Sequence, residues 1–287
     1  MNDKMKNLVV RTLSGIVLLV VVFGGILWSQ WSLGALLLVM LVGGVCEFYS
    51  LIEKQDLQPQ RALGMIACVM LFVLNFAFVC DDIAILGKGH TWFAAGAAFL
   101  LLSIPLMFIC ELYRKQANPA ANVATTITGL FYVALPLSLL LYMPIIGRDE
   151  WTPWVLIAYI AIVWSNDVFA YLAGMAFGRH RLFERLSPKK SWEGFFGGVL
   201  GALGMGALGA YILGGNLWVW LGLATIVSVT SVLGDLVESM FKREAGVKDS
   251  GRIMPGHGGM LDRFDAVLIA TPFAFVYLSV IEIFGTI

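Results

Sequence analysis

The sequence predicts an all-α, polytopic integral membrane protein of about nine transmembrane helices, and three observations predict it. Of its 287 residues, 59% are hydrophobic and 13% charged, with a mean hydropathy of +0.85. The apolar residues fall in repeated runs of the ~20 residues that a helix needs to cross a hydrocarbon core of ~30 Å. Read as spans, those runs sort the basic residues almost entirely to one side. Helix is the default for each run, because lipid offers no partner to an open sheet edge.

In order, the spans lie at about 8–28, 32–52, 62–80, 93–110, 125–146, 153–177, 194–213, 215–235 and 264–286. The first follows a basic start that resembles a signal peptide, but no small-residue cleavage site follows it and the run is long enough to span, so it counts as a helix. With the N-terminus in the cytoplasm, that side holds Lys4, Lys6, Arg11, Lys54, Arg61, Arg114 and Lys115. It also holds Arg179, Arg181, Arg185, Lys189, Lys190, Lys242, Arg243, Lys248, Arg252 and Arg263. Seventeen of nineteen basic residues are thus cytoplasmic, and only Lys88 and Arg148 fall outside, each beside acids. The C-terminus is then outside. Two parts follow: residues 1–150 with about five spans, and residues 151–287, whose spans carry cytoplasmic loops at 178–194 and 236–263.

Nineteen basic and nineteen acidic residues cancel, so bulk charge argues neither for nucleic-acid binding nor for a basic peripheral membrane protein. Cys46, Cys68, Cys80 and Cys110 stand in apolar runs without metal-ligand spacing and read as small buried hydrophobes. Function therefore rests on local clusters. In "GRHRLFERLSPKKSWEGFFGG", Ser187 and Pro188 read as a helix cap and first turn with Lys189 and Lys190 in the opening turn. Backbone N–H groups and two ammonium groups would converge there on phosphate. The same loop is also what a topology-fixing basic segment looks like.

Asn166 and Asp167 stand inside a span, where ionisable groups face a bundle interior or polar cavity, or else join helices by hydrogen bonds and salt bridges. Glu47, Glu111 and Glu282 lie near membrane surfaces and receive no role. In "VLGDLVESMFKR", Asp235 and Glu238 share a helix face; in "PGHGGMLDRFD", Asp262 and Asp265 do so at the start of the ninth helix. Carboxylate pairs beside basic residues and a glycine-rich turn suit a magnesium-bound triphosphate, and they also suit a solvated salt-bridge network.

The order of residues adds a third consideration. The stretch Ser239 to Asp265 resembles the signature of the phosphatidate cytidylyltransferases, also called CDP-diacylglycerol synthases. Ser239, Lys242, Arg243, Lys248, Asp249, Pro255, His257, Gly258, Gly259, Asp262, Arg263 and Asp265 stand at the expected spacing, and "SPKKSWEG" resembles a second recurrent block. The resemblance covers the C-terminal half well and the N-terminal half only in general hydropathy.

It implies condensation of CTP with phosphatidic acid to CDP-diacylglycerol and pyrophosphate in phospholipid biosynthesis, at the inner (cytoplasmic) membrane. Phosphatidic acid would enter from the inner leaflet. The cofactor implied is Mg2+, with a second cation and a homodimer left open. On this reading Asp235 and Asp262 are the principal metal ligands, supported by Asp249 and Asp265. Lys189, Lys190, Lys242, Arg243, Lys248 and Arg263 meet phosphates, while His257, Gly258 and Gly259 shape the phosphate turn. Ser187, Asn166 and Asp167 complete the substrate-binding set.

Two other classes compete. A transporter would route an ion past Asn166, Asp167 and Asp235, but no internal repeat is evident. The CDP-alcohol phosphotransferases share membrane and metal, but their D-G-x-x-A-R pattern is absent.

Overall fold

Backbone amides in a long apolar run find partners only within the run, so helix dominates. The computed structural model describes residues 3–80, 89–147, 150–251, 253 and 258–284. The helices are α1 (Asp3–Trp28), α2 (Gln30–Glu53), α3 (Arg61–Val79), α4 (Gly89–Arg114), α5 (Pro119–Gly129), α6 (Leu135–Leu139), α7 (Trp154–Phe177), α8 (Trp192–Leu213), α9 (Leu217–Glu244) and α10 (Leu261–Ile283). A π-turn at Leu130–Ala134 and a 3-10 turn at Leu140–Tyr142 join α5 and α6 into one rod, Pro119–Tyr142. Among the described residues, eight helical rods are long and apolar enough to cross a membrane, and Gly15–Trp28 of α1 is a further apolar stretch. The protein is an all-α, multi-pass membrane protein.

Two boundaries differ most from expectation. The fifth rod begins at Pro119 rather than near 125, because its polar first turns satisfy themselves: Thr125, Thr126 and Thr128 donate to the carbonyls of Ala121, Asn122 and Ala124 at 2.8, 2.7 and 2.8 Å. The π-turn precedes Pro136, whose ring and missing N–H a regular helix could not accommodate. Helix α9, expected to close near Asp235, runs on to Glu244 and carries Glu238 and Lys242 with it.

The chain divides into two compact units, one of Met1–Leu141 with Glu244–Arg263, the other of Tyr142–Arg243 with Phe264–Ile287. In the first unit, Leu41, Val45, Phe48, Tyr49 and Val133 are fully enclosed. Tyr49 donates to the Thr126 carbonyl at 2.9 Å. Its side chain lies so close to Gly64 and Gly129 that a Cβ at either would come within 2.3 Å of its hydroxyl or 2.7 Å of its ring. Beside this core Glu111 collects Gln60 Nε2, Asn122 Nδ2 and Arg114 Nη1 at 2.8, 2.7 and 2.7 Å, which clamps the α2–α3 connection onto α4 and α5. That network gives Glu111 a structural job for which its surroundings in the sequence offer no sign.

In the second unit, α7 and α8 pack through small residues, the usual way helices approach closely in lipid. A Cβ at Gly198 would reach 2.7 Å from Asn166 Oδ1. Tyr159 and Thr271 share a hydrogen bond at 3.0 Å that ties α7 to α10. Gly234 brings α9 against α10, where an added Cβ would lie 2.5 Å from the Asp265 carbonyl. The next residue along α9 is Asp235, so the close approach sets its carboxylate beside that of Asp265.

Between α7 and α8 lies a hairpin, β1 (Arg181–Phe183) paired antiparallel with β2 (Ser187–Ser191). This corrects the helical reading of Ser187 to Lys190. Pro188 pushes Ser187 towards extended backbone and is tolerated in a two-stranded ribbon. The cap of α8 is Ser191, with extended backbone and its Oγ accepting from Gly194 N at 3.1 Å. Glu193 braces the hairpin's base by accepting from the backbone N–H groups of Arg179 and His180 at 3.1 and 3.2 Å and pairing with His180 Nδ1 at 2.7 Å.

Candidate active site

Helix spacing places Asp235, Glu238 and Lys242 along one face of α9, and Asp265 meets that face from α10. One carboxylate oxygen each from Asp235, Glu238 and Asp265 lie within 4.8 Å of one another. Three like charges so close repel strongly unless cations stand among them. Two lysines do: Lys190 Nζ reaches Asp235 Oδ2 at 2.6 Å, and Lys242 pairs with Glu238, which is 1% exposed. Lys190 comes from β2, so the hairpin rather than a helix terminus delivers it. Ser239 Oγ donates to Asp235 Oδ1 at 3.4 Å. Asp167 on α7 faces the charges of Asp235 and Lys190, and Asp265 also feels Lys242. Hard, anionic oxygens gathered this way could hold a divalent metal. Asn166 is fully buried against Gly198, Ser187 is half-buried at the start of β2, and Lys189 and Arg243 are exposed.

The remaining candidates belong to the other unit. Asp262 stands in the first turn of α10, and its Oδ2 accepts from Ser250 N, Ser250 Oγ and Gly259 N at 2.9, 3.0 and 2.8 Å. Gly258 has φ +87°, in the region that glycine adopts without strain, and a Cβ there would lie 2.7 Å from Asp262 Oδ2. Lys248, Asp249 and Arg263 are exposed. His257 lies outside the described residues, as do Lys88 and Arg148.

The structure thus gathers Asp235, Asp265, Asp167, Lys190 and Lys242, and separately ties Asp262 to Gly259. It adds Glu238, Ser250 and Glu47. Glu238 was legible as sharing a helix face with Asp235, and only the meeting of α9 and α10 makes it a member of the carboxylate group. Ser250 has no signal beyond its place in the loop.

The model of the cytidylyltransferase family matches residues 9–281. Curated relatives named phosphatidate cytidylyltransferase include one from Synechocystis sp., 30% identical over 93% of this chain and 95% of its own length. One from Brucella abortus is 34% identical over 95% of this chain and 94% of its own. A Staphylococcus aureus relative of the same name is 47% identical over 44% of this chain and 48% of its own. With a family match that runs nearly from end to end, and relatives 30% and 34% identical over more than nine-tenths of both chains, the chain belongs to the cytidylyltransferase family.

Proposed function

We propose that the protein condenses CTP with phosphatidic acid, releasing pyrophosphate and leaving CDP-diacylglycerol in the membrane. The observation that carries this reading is the group Asp235, Glu238 and Asp265 with Lys190 and Lys242 against it, in a chain of this family. In the reaction an oxygen of the lipid phosphate bonds to the α-phosphorus of CTP, and the bond from that phosphorus to the bridging oxygen breaks. The lipid phosphate has a second ionisation near pH ~6 and is largely dianionic at neutrality. No strong base is needed.

What must be overcome is repulsion between two anions. The carboxylate oxygens fit magnesium in donor type and spacing, and a bound cation would supply positive charge at the phosphates. Lys190 and Lys242, paired with Asp235 and Glu238, are the cations proposed to meet phosphate oxygens beside this group. Lys189, Arg243, Lys248 and Arg263 are the exposed cations proposed to receive the triphosphate and lipid phosphate. Asp262 and Asp249 remain in the proposed metal set, and His257, Gly258 and Gly259 in the phosphate turn, through their place in the family-like signature. Purified protein given CTP, phosphatidic acid and magnesium is expected to release pyrophosphate and CDP-lipid in equal amounts. CTP uptake into vesicles without pyrophosphate would instead identify a transporter.

The proposed setting is the inner membrane with the N-terminus and both basic loops in the cytoplasm, supported by the seventeen-to-two division of basic residues. Single cysteines at Arg185 and Lys248 are expected to react with an impermeant thiol reagent only from the cytoplasmic side, and one at Lys88 only from the opposite side. Labelling of position 248 from outside alone would reverse the topology.

A further inference from the structure

Glu47 sits in α2 among "MLVGGVCEFYSLI" and is only 5% exposed. A carboxyl group in such surroundings is retained at a cost and marks a function more often than not. Its partners are on the signature loop, some two hundred residues away: Oε2 accepts from Ser250 Oγ at 3.1 Å and from Leu261 N at 2.9 Å. Leu261 opens α10, and its N–H is one of those a helix leaves without an internal acceptor. Glu47 therefore caps α10 from another helix. The same Ser250 hydroxyl lies 3.0 Å from Asp262 Oδ2, so its single proton is shared between the two carboxylates and one side chain links them.

The loop is shaped around this contact. A Cβ at Gly251 would lie 2.2 Å from Glu47 Oε1, and one at Gly259 would lie 2.2 Å from Ser250 Oγ and 2.4 Å from Glu47 Oε2. Only glycine lets the chain close on the carboxylate from both directions. Glu47 Oε1 is buried and takes no hydrogen bond among the described residues, where the side chain's polar contacts fall on Oε2 and the loop.

We propose that Glu47 is a positioning residue for Asp262, fixing Ser250 and the first turn of α10 so that the Asp262 carboxylate is held in one orientation for the reaction. This rests on the reading that Asp262 serves catalysis. The test uses the purified full-length protein with Glu47→Ala, Glu47→Gln, Ser250→Ala, Asp262→Asn and the Glu47→Ala/Asp262→Asn pair. CDP-lipid formation is followed against magnesium concentration, with melting temperature on the same samples. Glu47→Ala is expected to lower kcat by about 10²-fold, the cost of misplacing a reacting group by about 1 Å, and to raise the magnesium needed for half activity. Glu47→Gln keeps an oxygen for both bonds and is expected to recover most of the turnover.

The pair is expected to be no slower than Asp262→Asn alone, because the two residues act through one path. Losses that multiply, or Glu47→Ala with normal kcat and magnesium dependence, overturn the proposal. Should Glu47→Ala not fold, Ser250→Ala carries the same expectation, since it removes the link while leaving the Glu47 to Leu261 bond; normal magnesium dependence there overturns the proposal equally. Asp262→Asn at full rate would strike the role of Asp262 itself, whereas a slow Asp262→Asn beside an unaffected Glu47→Ala strikes only the positioning.

Discussion

Asp235→Asn is expected to lower kcat by at least ~10²-fold, the loss that follows removal of one important electrostatic contact in an active site, without lowering the melting temperature. The geometry separates the two effects. Asp235 shares its space with Glu238 and Asp265, all within 4.8 Å, so removing one negative charge relieves repulsion while it spoils the proposed cation site. Its ion pair with Lys190 is partly exposed on both sides, at 24% and 40%, and such pairs contribute no more than ~1 kcal/mol. Added magnesium is expected to restore only part of the rate. A folded variant with near-normal turnover and an unchanged magnesium titration would take Asp235 out of the site, and a fall in melting temperature with turnover retained would make the cluster a salt-bridge network.

Asp262→Asn and Asp262→Ala are expected to part company. All three hydrogen bonds from Ser250 and Gly259 converge on Oδ2, and an asparagine oxygen placed there accepts them as well. Asp262→Asn thus keeps the loop and loses the charge: activity falls by ~10²-fold or more while the melting temperature stays within a few degrees. Asp262→Ala loses both, because it leaves the backbone N–H groups of Ser250 and Gly259 without their acceptor, at ~1–3 kcal/mol for each that stays buried, while the Ser250 hydroxyl keeps Glu47. Equal melting temperatures for the two variants would show that the loop does not depend on this carboxylate. Full activity in Asp262→Asn would show that its charge is not needed for turnover.

Much of this molecule was legible in order of residues. The spans follow from apolar length alone, and each expected span falls on a helix, because a hydrocarbon solvent leaves the backbone no other choice. The ends of the spans were less legible. Where threonines bond back to their own helix, polarity misleads, and the rod from Pro119 starts earlier than its hydropathy suggests. The serine that caps α8 was also misplaced. Ser187-Pro188 reads as the start in sequence, whereas strand pairing with Arg181–Phe183 leaves the cap to Ser191.

The chemistry divides in the same way. Asp235, Asp262, Asp265, Lys190 and Lys242 could be named from spacing, charge and resemblance, since each sits in a dense polar stretch of an otherwise apolar chain. Glu47 could not, because its neighbours in sequence are apolar and its partners, Ser250 and Leu261, stand about two hundred residues away. Glu238 could be placed on the right helix face but not in the group, which exists only where Gly234 lets α9 approach α10. Sequence by itself determined the membrane-spanning helices, the family and most of the charged residues, because hydropathy and motif spacing are local properties. Tertiary structure alone decided which carboxylates share one space and which hold the loop, because a buried charge is settled by whatever polar group the fold brings within hydrogen-bond reach of it.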